Sequence, residues 1–166
     1  MTTFCLSTAN ANLWHGGGAA AAVSMAIFYG GIAQLLAGMW EFVRKNTFAA
    51  LAFSSFGAFW LSFWYLVNHS PGTDTVALFL LGWTIFTLYM TVAAMKVNTA
   101  VLTVFVLLSA TFIFLTIGAW GAGHADMTKI GGWLGIATAA AAWYASAAGV
   151  INETHGKVVL PVGPRS

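Results

Sequence analysis

Charge is what this sequence has least of: 6% of its 166 residues are Asp, Glu, Lys or Arg, against 60% hydrophobic. A 17.5 kDa globule with a mean hydropathy of +0.84 has no interior large enough to hide that much apolar surface. A water-soluble domain is therefore excluded, and an integral membrane protein is left. Cysteine is almost absent, and Cys5 alone excludes an intrachain disulfide or a closely spaced thiolate metal or redox site. Proline is scarce, and Pro71, Pro161 and Pro164 all fall in a turn or in the tail, outside every long apolar run. No Lys or Arg precedes Arg44, so a cleaved secretory signal is not expected. The net charge of +2 decides nothing about partners. No catalytic triad, phosphate loop or nucleotide motif is present, and neither a cofactor nor a nucleic-acid partner is expected.

What is present is a series of apolar runs separated by short polar turns, and every run after the first is long enough to cross a hydrocarbon core of roughly 30 Å as a helix. The expected fold is an all-α integral membrane protein, a compact bundle of six transmembrane helices at about 1–14, 19–42, 47–67, 76–95, 99–120 and 130–152. These form one domain, 1–153, followed by a polar cytoplasmic tail, 154–166. The first run reaches only about 21 Å as a helix, and is read as a helix truncated at its N-terminus. If the spans alternate, Arg44, Lys45, Lys96, Lys157 and Arg165 share one side and Lys129 lies opposite, which makes the first side cytoplasmic in a cell membrane. Glu41 and Lys45 are spaced to pair across one turn. Trp14 is placed as an interfacial anchor, and Trp60, Trp64 and Tyr65 as an outer aromatic belt.

Four positions carry the polar interest of the second span. Gly31, Gln34, Gly38 and Glu41 follow steps of three, four and three, which aligns them on one helix face. Two glycines admit a neighbouring backbone, whereas an amide in hydrocarbon needs a partner, water or a passing solute. Helix packing and a solute path both satisfy that requirement. Thr84, Thr87 and Thr91 form a hydroxyl row, though threonines in hydrocarbon often bond their own backbone. The run 101–120 is apolar enough for a hydrophobic gate. Gly135, Ala139, Ala142, Ser146, Gly149 and Glu153 form a small-residue packing seam. His15, His69 and His124 all fall in outer turns, so a metal-dependent membrane enzyme is one alternative, and an accessory structural bundle is another. Narrow polar stripes broken by apolar rings favour a pore for small solutes over both.

The segments 27–42, 46–60 and 150–163 together resemble, in order, the pattern of the acetate uptake transporters, also called the succinate-acetate permease family. That resemblance implies six spans per protomer, a homo-hexamer, and a pore through each protomer for acetate and similar short carboxylates, with succinate and lactate as further candidates. It implies that Gln34 offers amide donors to the carboxylate, with Tyr29, Thr2 and Thr3 also on the path. It implies a dry constriction at Phe56 and Leu108, with Phe56 standing where the family often carries tyrosine. Glu41, Asn152 and Glu153 are then inner-end polar groups, expected to hold helix ends, with proton handling as the alternative, so that an anion channel and a proton-coupled permease both stay open. The family's Asn-Pro-Ala-Pro-Leu-Gly signature is missing, and Met1-Thr2-Thr3 resembles the middle of its first helix.

The charge distribution yields a direct test. With Cys5 replaced by Ala, cysteines introduced at Gly72 and Asp126 should react with an impermeant maleimide from outside intact cells, and one at Lys45 should not. External labelling at position 45 would contradict the topology.

Overall fold

The computed structural model describes residues 1–14, 17–69, 72–120 and 124–164. Its helices are α1 (Thr2–Asn10), α2 (Gly17–Val43), α3 (Thr47–Asn68), α4 (Thr73–Ala94), α5 (Thr99–Ala119) and α6 (Ala125–His155). Five of them, α2 to α6, are long and apolar enough to cross a membrane. With nine residues, α1 is about 14 Å long and does not cross alone. Local chemistry fixes several ends. Asn46 and Asn98 accept from the amides of Ala49 and Val101 at the starts of α3 and α5, satisfying donors a helix leaves unpaired. Asp74 and Asp126 sit in the first turns of α4 and α6, where negative charge complements the helix dipole. Gly156 closes α6 in the left-handed conformation, with φ of 62°.

Each helix packs on the next in sequence, and α6 returns to α1, so the helices form a closed ring in chain order. Neighbours run antiparallel. Between α2 and α3 the close approaches pair Gly30 with Trp60 and Gly38 with Ser54. Between α4 and α5, hydrogen bonds join Thr84 to Thr116 and Thr91 to Ser109. Between α6 and α1, Gly132 meets Ala11 and Gly135 meets Ser7. In each case one number rises as the other falls. The α2–α3 joint is close because Gly57 brings the backbones together: a Cβ there would lie 2.7 Å from the Leu35 amide nitrogen. The α3–α4 joint is the loosest in backbone terms, and large rings fill it.

Several expectations need correction. The second span is not a uniform α-helix: residues Ala26–Ala33 form a π-helix between α-helical ends. Trp60 and Leu61 of α3 press on Gly30 and Gly31 inside that segment, and the wider turn shifts the register that α-spacing predicts. Gly31 and Gly38 are buried against α3 as expected, while Gln34 and Glu41 are only half-buried. The run 1–14 leaves the helix at Ala11, followed by left-handed Asn12, and Gly17 and Gly18 open α2 instead of forming a turn. Gly18 is there for contact, since a Cβ would lie 2.7 Å from the Cys5 carbonyl oxygen. Both α4 and α6 begin earlier than expected, at Thr73 and Ala125. Trp60 is buried in the core with 6% exposure rather than standing in a surface belt, while Tyr65 is exposed. The small-residue seam packs at Gly135 and Ala139, but Ser146 and Gly149 are exposed.

The glycine contacts predict an asymmetry. Gly57→Leu should lower stability by about 1–3 kcal/mol, read as a fall in thermal midpoint in detergent, because nothing near Leu35 can give way. Gly82→Ala, where a Cβ meets nothing within 4 Å, should cost no stability.

Candidate solute path at the aromatic centre

The interior of the ring is filled by aromatic side chains, and Phe56 stands among them. Its ring centroid lies 5.3 Å from Phe86, 5.9 Å from Trp83, 6.2 Å from Phe105 and 6.4 Å from Phe112. One turn outward, Phe59 meets Trp60 at 5.0 Å, Trp83 at 5.1 Å and Phe112 at 5.5 Å. Leu108 is half-buried and packs against the same cluster from α5. The two residues assigned to a constriction thus belong to one continuous apolar plug reaching from α3 across to α5. The sequence reading missed Phe105, Phe112, Trp83 and Phe86 as further members. Their signal was present: Phe105 and Phe112 are two turns apart, which sets them on one face of α5 beside Leu108.

Polar groups around the plug divide into those already engaged and those left over. Thr84, Thr87 and Thr91 each donate to the carbonyl one turn back, at 2.7–2.8 Å. Thr84 also meets Thr116 at 2.9 Å and Thr91 meets Ser109 at 2.8 Å, so the hydroxyl row stitches α4 to α5. Among the described residues, two buried hydroxyl oxygens are left without any partner, Thr2 Oγ1 and Ser54 Oγ. Thr2 Oγ1 faces Gly30 and Trp60, one turn outward from Phe56. Ser54 Oγ faces Gly38, on the Asn46 side of Phe56 along α3. Gln34 is half-buried and makes no hydrogen bond to another described residue. An unpaired buried hydroxyl beside apolar rings is costly as packing alone.

The remaining predicted positions separate. Thr3 is half-buried beside Thr2 in sequence, and Tyr29 is 59% exposed on the outer surface of α2. Glu41 accepts from Asn46 Nδ2 at 2.7 Å and pairs with Arg44 at 3.2 Å, not with Lys45. The reason is backbone: Lys45 leaves the helix with φ of 58°, while Arg44 stays on the helical turn. Asn152 is engaged with the tail, and Glu153 is exposed at the end of α6. His15 lies outside the described residues. His69 Nδ1 is 2.7 Å from the Tyr65 carbonyl, and His124 is exposed at the start of α6. Among the described residues, no three His, Cys, Asp or Glu side chains gather in metal-binding geometry. Two open grooves of about 400 and 380 Å³ lie at opposite ends of α6, and neither is lined by Phe56, Leu108 or Gln34.

The GPR1/FUN34/yaaH family pattern matches residues 1–165, nearly end to end. The chain belongs to the GPR1/FUN34/yaaH family. Within this family it is 39% identical over 171 residues to "Accumulation of dyads protein 2" of Saccharomyces cerevisiae, a match covering 96% of this chain and 60% of that protein. It is 36% identical over 148 residues to the "Succinate-acetate/proton symporter SatP" of Escherichia coli K12, covering 85% of this chain and 78% of that protein. The solved structure of the bacterial acetate channel SatP superposes with a TM-score of 0.91 at 36% identity, covering 98% of this chain and 92% of that chain. The chain thus spans about 60% of the length of the yeast relative it matches. The relative named a symporter and the solved structure named a channel are both transport proteins.

The orphan hydroxyl of Ser54 is open to a direct test. Ser54→Ala removes a buried donor that bonds nothing, so thermal stability should be unchanged or higher. A loss of more than about 1 kcal/mol would show that Ser54 Oγ has a partner in the folded protein.

Proposed function

We propose that this protein moves small monocarboxylates, acetate first, across the cell membrane through a narrow path inside each protomer. The observation that carries the reading is an apolar cluster holding Phe56 and Leu108 with a buried, unbonded hydroxyl, Thr2 Oγ1, at the Gly30–Trp60 contact one turn of α3 from Phe56. A carboxylate entering apolar surroundings sheds water at a cost of several kcal/mol, and only a fixed donor within reach offsets it. Thr2 Oγ1 is such a donor, free of competing bonds, and the Gln34 amide is proposed as a second. The plug then sets size: acetate presents one methyl to the rings, and longer acids must thread more atoms through the same gap. Glu41 is held by Arg44 and Asn46 at the inner turn, and Glu153 stands exposed. Neither carboxylate adjoins the plug, which favours passage of the anion through a channel over transport coupled to a carboxylate in the gap.

The protomers are proposed to assemble as a homo-hexamer with both chain ends cytoplasmic. The exposed apolar surface of α2, including Phe28, Tyr29, Leu36, Met39 and Trp40, supports burial against lipid and neighbouring copies. The basic residues at the inner ends of α2 and α4 support the orientation. The E. coli relative named a succinate-acetate symporter and the solved acetate channel support the substrate class.

In vesicles, Leu108→Ala should raise the ratio of lactate to acetate flux about fivefold, the equivalent of ~1 kcal/mol of relieved crowding. Phe56→Ala should act in the same direction, but it also removes a packed ring, so Leu108→Ala is the milder test. Gln34→Leu should lower flux of both acids without changing their ratio. Unchanged ratios in both plug variants, in folded protein, would place the gate elsewhere.

A further inference from the structure

The tail beyond α6 does not trail away from the bundle. Asn152 turns it back: its Nδ2 donates to the Leu160 carbonyl at 2.8 Å, and its Oδ1 accepts from the amides of Val159 at 2.8 Å and Leu160 at 2.9 Å. Further along, the Tyr144 hydroxyl donates to the Pro161 carbonyl at 2.7 Å. The returning strand then reaches α5. The amide of Thr99 donates to the Gly163 carbonyl at 2.8 Å, and that of Ala100 to the Val162 carbonyl at 3.0 Å. These are first-turn amides, which a helix cannot satisfy internally. Asn98 already serves the next amide, that of Val101, so tail and side chain together cap the start of α5.

The tail is shaped for this contact. Gly163 has φ of 64°, and a Cβ there would lie 2.7 Å from Thr99 Oγ1. Both the conformation and the approach require glycine. We propose that the tail is a strap that holds the inner end of α5 in place, with Asn152 as its latch and positioning residue. Its reach is mechanical. Phe105 lies fewer than two turns into α5 and packs at 5.3 Å from Phe48 and 6.2 Å from Phe56, with Leu108 one turn further. A loosened α5 start therefore loosens the inner side of the plug. The hold on α5 stands on hydrogen bonds alone, whereas its effect on transport rests on the function proposed above.

Hydrogen–deuterium exchange on the full chain in lipid nanodiscs tests the hold. Asn152→Ala should raise exchange about tenfold at the Thr99 and Ala100 amides, as expected for losing one to two net hydrogen bonds. Asn152→Asp, which keeps both acceptor contacts to Val159 and Leu160, should restore most of the protection. Gly163→Ala should raise exchange at Thr99 and Ala100 while leaving Val159 protected, and it supplies the same test if Asn152→Ala fails to fold. Protection at Thr99 and Ala100 that survives Gly163→Ala, or a failure of Asn152→Asp to rescue, would overturn the strap. In vesicles, Asn152→Ala should shift the lactate to acetate ratio and Asn152→Asp should restore it. A raised exchange with an unmoved ratio would overturn the positioning role, whereas absence of acid flux in the unaltered protein would count against the transport reading alone.

Discussion

The packing of aromatic rings between α3 and α5 is the interaction on which the rest depends. Elsewhere the ring of helices is held by small residues: Gly18 against α1, Gly38 and Gly57 between α2 and α3, Gly132 and Gly135 against α1. Such joints draw backbones together and leave nothing to fill the middle. Phe56, Phe59, Trp83, Phe105 and Phe112 fill it. Each well-oriented ring pair adds about 0.5–1.5 kcal/mol beyond its buried area, so the plug is also the cohesive centre of the protomer. In the proposed function, gate and core are the same side chains, which ties selectivity to stability at Phe56.

A membrane interior makes every unpaired polar atom conspicuous. The threonines of α4 and α5 answer that demand with their own carbonyls and with one another. Thr2 Oγ1 and Ser54 Oγ do not, and they lie on either side of the plug level along α3. In the proposed path, their placement offers an anion one hydroxyl on each side of the aromatic cluster. The same logic sets the starts of α3 and α5, where Asn46, Asn98 and the returning tail satisfy the first-turn amides.

The long runs, their turns and their membrane character were legible in the sequence, because apolar length is a property of the chain itself. Phe56 and Leu108 were assigned through family resemblance and meet in one cluster, although composition alone would not have joined α3 to α5. What was not legible had tertiary causes. The π-helix at Ala26–Ala33 arises where α3 presses on two adjacent glycines, and α-periodicity in the sequence cannot register that pressure. Trp60 reads as an interfacial ring by its position near Trp64, yet Gly30 opens a place for it inside. Lys45 was spaced to meet Glu41 only on a helix that had already ended. The tail's prolines signalled an end to helix, and nothing in them showed that Asn152 would turn the chain back onto α5.

The central claim is that this chain alone provides a path for acetate. Purified protein in vesicles, loaded with an outward acetate gradient and assayed with radiolabelled acetate, tests it most directly. The account predicts uptake well above protein-free vesicles, competed by unlabelled acetate and reduced in Gln34→Leu. Acetate uptake equal to that of protein-free vesicles, with the protein folded and inserted, would contradict it.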